Sequence, residues 1–84
     1  LEQYKDAIKV LQRALKIKED YYGKEHQEVA ITLLGLAKVN FHIKNFSLAT
    51  NLAAQCYKIF LRVYGTNNVN TKKALNLLNE IYKQ

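Results

Sequence analysis

The feature that most constrains this chain is an internal repeat with a period of 42 residues. When the sequence is shifted by that period, apolar residues align with apolar residues, and the Tyr-Gly pair at 22–23 aligns with the pair at 64–65. Further aligned pairs are Tyr4 with Phe46, Ala7 with Ala49, Ala14 with Cys56, Ile17 with Ile59, Leu33 with Leu75, Leu36 with Leu78 and Val39 with Ile81. Repeats of this length are typical of units that stack on one another and share one core.

Within each repeat, apolar residues recur at steps of three and four, which predicts amphipathic helices. The chain has no proline and only three glycines, so long helices are not interrupted by their strongest breakers. The sequence shows no sustained alternation of apolar and polar residues, which is the pattern that predicts a strand, so no strand is expected. We therefore expect an all-α fold of antiparallel helix–turn–helix repeats, with about four helices.

The 84 residues are expected to form one domain. Residues 1–22 predict the second helix of one repeat, residues 27–64 one complete helical hairpin, and residues 69–84 the first helix of a further repeat. Inside the hairpin, a helix from Val29 to Ile43 and a helix from Phe46 to Tyr64 are joined by a tight turn at Lys44-Asn45. A turn this short makes the two helices antiparallel.

The first helix is predicted to contact two neighbours, because it carries two apolar stripes. The first stripe comprises Leu1, Tyr4, Ala7, Ile8, Leu11, Ala14 and Leu15, and the second comprises Val10, Ala14, Ile17 and Tyr21. In the third helix, small residues at Ala49, Ala53 and Cys56 form a ridge that permits close helix approach.

The net charge of +6 suits an acidic peptide, nucleic acid or an anionic surface. Residues 1–42 contribute +1 and residues 43–84 contribute +5, so the second half is the basic one. Its basic residues lie on several helix faces without an aromatic stacking platform, so nucleic-acid binding is the weaker alternative. No apolar run approaches the roughly 20 residues that span a bilayer, and no membrane association is expected.

The residues predict neither catalysis nor a bound cofactor. No phosphate loop, paired-histidine metal motif or nucleophile motif is present, so an enzyme is not expected. His26 and His42 lie at opposite ends of one predicted helix, about 24 Å apart, and cannot share a metal. Cys56 is interpreted as a buried small apolar group. A single cysteine also fits a reducing, intracellular compartment, for which the cytoplasm is the expectation.

Several local patterns resemble a known family. They are Tyr4-Lys5-Asp6-Ala7, Arg13-Ala14-Leu15-Lys16-Ile17, Tyr22-Gly23-Lys24-Glu25-His26 and Val29-Ala30-Ile31-Thr32-Leu33. Together they resemble the tetratricopeptide repeat, in the long 42-residue form found in kinesin light chains. The chain departs from that pattern at Gln27 and Val69, where proline is usual, and at Asn79, where a small residue is usual. Asn68 takes the place of the loop histidine in the second copy, and His26 is expected to hold the first loop.

The resemblance implies a right-handed superhelix whose first helices line an inner groove that binds a peptide segment of a partner protein. On that register, nine residues are candidates for partner binding: Ile31, Leu34, Lys38, Phe41 and His42 from the first groove helix, and Lys73, Asn76, Glu80 and Lys83 from the second. The lysines would favour an acidic partner, and Leu34 and Phe41 would offer apolar pockets. For His42, a favourable interaction with the C-terminal helix dipole is the alternative to a groove contact.

Two other functions remain open from the sequence. The chain can be a structural spacer within a longer superhelix, or a nucleic-acid-binding segment that acts through its basic half. Because about three repeats are usually needed for stability, a chain with about two is expected to be marginally stable. Alternatively, it is expected to self-associate through exposed repeat ends.

Overall fold

The computed structural model describes residues 2–84 and contains four α-helices. They are α1 (Glu2–Tyr22), α2 (Gln27–His42), α3 (Phe46–Tyr64) and α4 (Val69–Tyr82). No residue in this part of the chain is in a β-strand. The predicted all-α helical-repeat fold is therefore confirmed. Leu1, which the sequence assigns to the first helix and its apolar stripe, lies outside the described residues.

Successive helices pack on each other in chain order, α1 on α2, α2 on α3 and α3 on α4. In addition, α2 contacts α4, so these two equivalent helices of the repeat lie side by side. Over residues 2–84, none of the four helices combines the length and apolarity that crossing a lipid bilayer requires. The arrangement is a layer in which α2 and α3 are the central elements.

The core is centred on the small-residue ridge of α3. Ala49, Ala53 and Cys56 have no exposed surface, and Phe60 is fully buried beside them. The predicted ridge is therefore confirmed, since small side chains let the helices approach closely. The hydroxyl of Thr71 in α4 donates to the carbonyl oxygen of Phe60 at 3.2 Å, which joins α4 to α3 across this core.

The loop between α1 and α2 and the loop between α3 and α4 use the same local chemistry. Gly23 and Gly65 have φ angles of +85° and +83°, a conformation that side chains with a Cβ rarely adopt. At the start of the next helix, His26 Nδ1 accepts a hydrogen bond from the amide of Glu28 at 3.0 Å. In the second loop the Asn68 side chain accepts from the amide of Asn70 at 2.8 Å. The helices α2 and α4 therefore each begin with a side-chain N-cap.

The predicted role of His26 in holding the first loop is confirmed by a second contact. Its ring stacks on Tyr22 with 4.2 Å between ring centroids. Because His26 is the N-cap residue, α2 begins at Gln27, two residues before the predicted start at Val29. The loop is also tied to α3, since Arg62 donates to the carboxylate of Glu25 at 2.9 Å.

The turn between α2 and α3 closes with an unusual residue. The Lys44 amide donates to the carbonyl of Phe41 at 3.0 Å, and the Asn45 amide donates to that of Asn40 at 2.8 Å. This pair of bonds is a Schellman motif, whose left-handed position is most often glycine. Lys44 occupies it with a φ of 66°. The turn therefore stores backbone strain at Lys44.

Lys44→Gly is expected to raise the free energy of unfolding by about 0.5 kcal/mol. The substitution relieves a left-handed backbone strain of about 1–2 kcal/mol, and the added freedom of glycine in the unfolded chain offsets about 0.4–1 kcal/mol of it. Urea unfolding followed by circular dichroism measures the change. Lys58→Gly, within α3, is the matched control and should lower stability by about 1 kcal/mol. A Lys44→Gly protein less stable than the unmodified chain would contradict the strain argument.

The expectation that α1 contacts two neighbours is wrong for the described residues. α1 contacts α2 alone, and none of its residues is fully buried. Its second stripe is open to solvent, with Val10 62%, Ile17 67% and Tyr21 81% exposed. The physical reason is that no described helix lies on that side of α1. The first stripe, which includes Leu11 and Leu15, is the one that packs on α2.

Candidate functional site

A groove opens between the C-terminal half of α2 and the adjacent face of α4, with a cavity of about 320 Å³. The seven residues that line it, called here the α2–α4 groove, are Lys38, Phe41, His42, Lys73, Asn76, Leu77 and Glu80. Their spacings of three, four and seven residues place them on one face of each helix. The groove exists because α2 and α4 both pack on α3 and are held side by side.

Six of the nine predicted groove residues line this cavity. They are Lys38, Phe41, His42, Lys73, Asn76 and Glu80. The helix register inferred from the repeat therefore places most of the candidate side chains in one concave surface.

The other three candidates lie elsewhere. The prediction that Leu34 is a groove residue is wrong, because Leu34 is only 9% exposed and belongs to the hydrophobic core. It cannot offer an open apolar pocket in this arrangement. Ile31 is exposed on α2 but outside the cavity, and Lys83 follows α4 as its C-cap residue, also outside the cavity.

Leu77 is the groove residue that sequence reasoning missed. Leu77 is almost fully buried, and an apolar side chain at this spacing predicts a core position and not a groove position. Part of its surface nevertheless forms the cavity wall beside Asn76. Its position four residues after Lys73 and three before Glu80 was the available signal, since those spacings share one helix face.

Within residues 2–84, the cationic groups of the groove form no ion pair. The ion pairs among the described residues are Lys16–Asp20, Lys18–Glu28 and Arg62–Glu25, none of which involves a groove residue. Lys38 and Lys73 thus have no carboxylate oxygen within 4.0 Å in residues 2–84. A carboxylate from outside the chain could pair with either ammonium without displacing an existing partner. Glu80 gives the same wall one negative group.

The aromatic end of the groove is held by ring contacts. Phe41 is partly buried against the core, and its ring lies 5.9 Å from that of Phe46. The ring of His42 stacks on Tyr4 of α1, with centroids 5.8 Å apart and planes inclined by 6°. His42 therefore lies on the groove wall and, at the same time, in the last turn of α2 where the dipole interaction was predicted.

A second cavity, of about 350 Å³, is formed by α1, the first loop, α2 and α3. Its lining residues are Glu19, Lys24, Glu25, Leu33, Gln55, Lys58 and Ile59. Sequence reasoning did not identify it, because its walls come from four separate elements and no single helical pattern joins them. Its charged groups are mixed in sign, and Glu25 is already paired with Arg62.

The structure gives no chemical activation to the one cysteine. Cys56 is fully buried, as predicted, and burial raises the pKa of its thiol to about 12, against a smaller lowering by the charge of Lys38. Its thiolate is therefore scarce at neutral pH, and the thiol behaves as a packing group.

Among residues 2–84, no group of three or more metal-ligating side chains is present.

Comparisons with known proteins agree with the repeat pattern. A family model described as tetratricopeptide repeat matches residues 1–62. Among curated proteins, the clustered mitochondria protein homologue of Ajellomyces capsulatus is 30% identical over 81 residues. The homologues of Aspergillus fumigatus and Neosartorya fischeri are each 31% identical over 81 residues. Each alignment covers 96% of this chain and 6% of the relative, so the chain spans a small part of these proteins. No solved structure gives a significant match.

Proposed function

This chain belongs to the tetratricopeptide repeat family, and from that premise we propose that it binds a peptide segment of a partner protein in the α2–α4 groove. Repeats of this family generally mediate protein–protein interactions and act as non-catalytic scaffolds. The observation that carries the finer proposal is the groove itself. Two unpaired ammonium groups, an amide, an apolar wall and one carboxylate meet in a single cavity.

The side chains of the groove offer complementary groups to an extended peptide. The amide of Asn76 has both a donor and an acceptor, so it can bond the peptide backbone whatever the peptide sequence. Phe41 and Leu77 offer apolar surface beside it. Lys38 and Lys73 favour an acidic side chain, since charge-assisted hydrogen bonds are stronger than neutral ones. The proposed ligand is therefore a segment in which an acidic residue lies close to an apolar one.

The long 42-residue form of the repeat, as in kinesin light chains, is the finer class proposed for this chain. Its support is the register that aligns Tyr22-Gly23 with Tyr64-Gly65 over the same helical pattern. The kinesin light-chain pattern often has two asparagines at the places of Leu34 and Gly35, and this chain has neither. Leu34 is instead buried in the core. Asn76 retains the amide in the second copy. We therefore place peptide-backbone recognition on α4 rather than on α2.

Lys38→Glu combined with Asn76→Ala is expected to weaken peptide binding by at least about tenfold, because it reverses one charge and removes the backbone-bonding amide. A library of random short peptides displayed on phage is selected on the unmodified chain. Affinities of the selected peptides are then measured for both proteins by fluorescence anisotropy. Circular dichroism confirms that the double variant keeps its helical content.

The matched control is Lys58→Glu combined with Gln55→Ala. It makes the same two chemical changes on α3, in the second cavity and away from the groove. Peptides bound equally by the groove variant and the unmodified chain would reject the groove as the binding site. Equal loss in both variants would show a general charge effect, which also contradicts the proposal. Nucleic-acid binding is tested separately with a labelled DNA duplex at several salt concentrations, since log affinity for a nucleic acid falls linearly with log salt.

A further inference from the structure

The two helices that form the α2–α4 groove carry opposite charges at one equivalent position. In the 42-residue register, Lys38 of α2 corresponds to Glu80 of α4. Both side chains are exposed, and both line the same cavity. Neither residue belongs to the hydrophobic core, so the packing of the repeat does not require this reversal of charge. The reversal gives one groove a positive and a negative region.

The charged groups of the groove are available to a ligand. Within residues 2–84, every ion pair lies outside the groove, so Lys38, Lys73 and Glu80 are paired neither with one another nor with a further residue. The backbone carbonyl of Glu80 accepts a hydrogen bond from the side-chain amide of Gln84 at 3.2 Å, whereas its side chain is exposed. A ligand can therefore pair with any of the three charged groups without displacing an existing partner.

The positive and negative regions are far enough apart to be met by different residues of one extended peptide. Lys73 and Glu80 are seven residues apart in α4, which is about 10 Å along a helix. Lys38 and Glu80 lie on neighbouring helices, whose axes are about 8–10 Å apart when the helices are in contact. Because an extended chain advances about 3.3 Å per residue, either path spans about three residues of a peptide.

Neutral groups lie between the two charged regions. Asn76 is three residues after Lys73 and four before Glu80, so it shares their helix face and lies between them. Phe41 and Leu77 add apolar surface to the same cavity. Along α4 the groove therefore presents an ammonium, then an amide beside apolar surface, then a carboxylate. This order is a property of the groove that its net charge does not describe.

The net charge of the chain, +6, would by itself favour a uniformly acidic peptide. At physiological ionic strength, however, attraction between exposed charges is largely screened beyond about 8 Å. The groups within the groove therefore decide which residue is accepted at each place. Opposite Glu80, a second acidic residue would meet a like charge, and such a juxtaposition disfavours association.

Building on the peptide binding proposed above, we propose that Glu80 is the specificity-determining residue of the groove and that the ligand is a dipolar peptide segment. An acidic residue of that segment pairs with Lys38 or Lys73. A basic residue, about two to four positions away, pairs with Glu80. The residues between them contact Asn76 and the apolar wall. A uniformly acidic segment is excluded by Glu80, although the chain as a whole is basic.

The test uses the peptides selected from the random phage library on the unmodified chain. They are expected to combine an acidic residue with a basic residue about two to four positions away. Each selected peptide is also synthesised with its basic residue replaced by glutamate. Affinities for both versions are measured by fluorescence anisotropy at pH 8, where histidine side chains such as that of His42 on the groove wall carry little charge.

The unmodified chain is expected to bind the selected peptide at least about tenfold more tightly than its glutamate version. Glu80→Lys should invert this preference, because the new ammonium repels the basic residue and pairs with the glutamate. Glu80→Gln should reduce the preference without inverting it. The matched control is Glu19→Lys, which changes the net charge equally but lies in the second cavity and should keep the original preference. Circular dichroism confirms the helical content of each variant.

Selected peptides that are acidic and lack a basic residue would overturn the role of Glu80. A preference that Glu80→Lys does not invert would overturn it too, as would the same inversion by Glu19→Lys, which would show an effect of net charge. Equal binding by the unmodified chain and the Lys38→Glu/Asn76→Ala variant would instead reject the groove, and this inference with it. Binding that depends on the groove but not on the charge of Glu80 would leave the proposed function intact and overturn this inference alone.

Discussion

Phe60→Ala is expected to destabilise the chain by about 3–5 kcal/mol, the usual cost of removing a fully buried aromatic ring. Phe60 is completely buried, and it lies in the one core shared by α2, α3 and α4. Its carbonyl also accepts the hydroxyl hydrogen bond of Thr71, so the cavity would open beside the contact that joins α4 to α3. For a chain of this length, total stability is about 4–13 kcal/mol.

The measurement is urea unfolding followed by circular dichroism, together with the rate at which Cys56 reacts with a thiol reagent. Cys56 is fully buried and its pKa is raised to about 12, so it reacts mainly when the core opens. Phe60→Ala should increase that rate about tenfold for each 1.4 kcal/mol of lost stability, because the open population depends exponentially on the free energy of unfolding. Tyr82→Ala removes an exposed ring and should change stability by no more than about 0.5 kcal/mol. Similar losses for the two variants would contradict the position assigned to Phe60.

The helices and most of the groove could be predicted because their signals are local. Steps of three and four residues determine which side chains share a helix face. The register of the repeat then assigns that face to the groove. The resemblance to the tetratricopeptide repeat implies that this face lines the groove, and its register names Lys38, Phe41 and His42 on α2. The structure places all three in one cavity with residues of α4.

Leu34 shows the limit of prediction from helix periodicity and repeat register. The register places it beside the groove, yet it is buried in the core. Exposure at the boundary between a groove face and a helix contact depends on how closely α2 approaches α4. That distance is set by tertiary packing, which no periodicity within one helix reports. Leu77 is the converse case, a core leucine whose edge forms part of the groove wall.

Two further features depend on information that a pattern of residue types lacks. Exposure of Ile17 and Tyr21 depends on the absence of a described helix beside α1, although their spacing is that of a buried face. Lys44 adopts a positive φ angle at a position where glycine would have been the usual signal. Residue types alone predict neither the exposure of Ile17 and Tyr21 nor the φ angle of Lys44, because both depend on the surrounding structure.

Ala37→Asn is expected to destabilise the chain by about 2–5 kcal/mol, whereas the reciprocal change Asn79→Ala should not destabilise it. Ala37 has no exposed surface and belongs to the core cluster. An asparagine there overfills the space between helices, at a cost of about 1–3 kcal/mol, and leaves a buried amide unpaired, at a similar cost. Asn79 is exposed, so its removal vacates no buried contact.

Urea unfolding of the two variants and of the combined swap measures this asymmetry. Asn79→Ala should raise stability by up to about 0.5 kcal/mol, because alanine has the higher helix propensity. The swap should be as unstable as Ala37→Asn alone, since the two residues lie on different helices and no gain at α4 restores the core at α2. A neutral Ala37→Asn would show that the α2 face tolerates a polar residue.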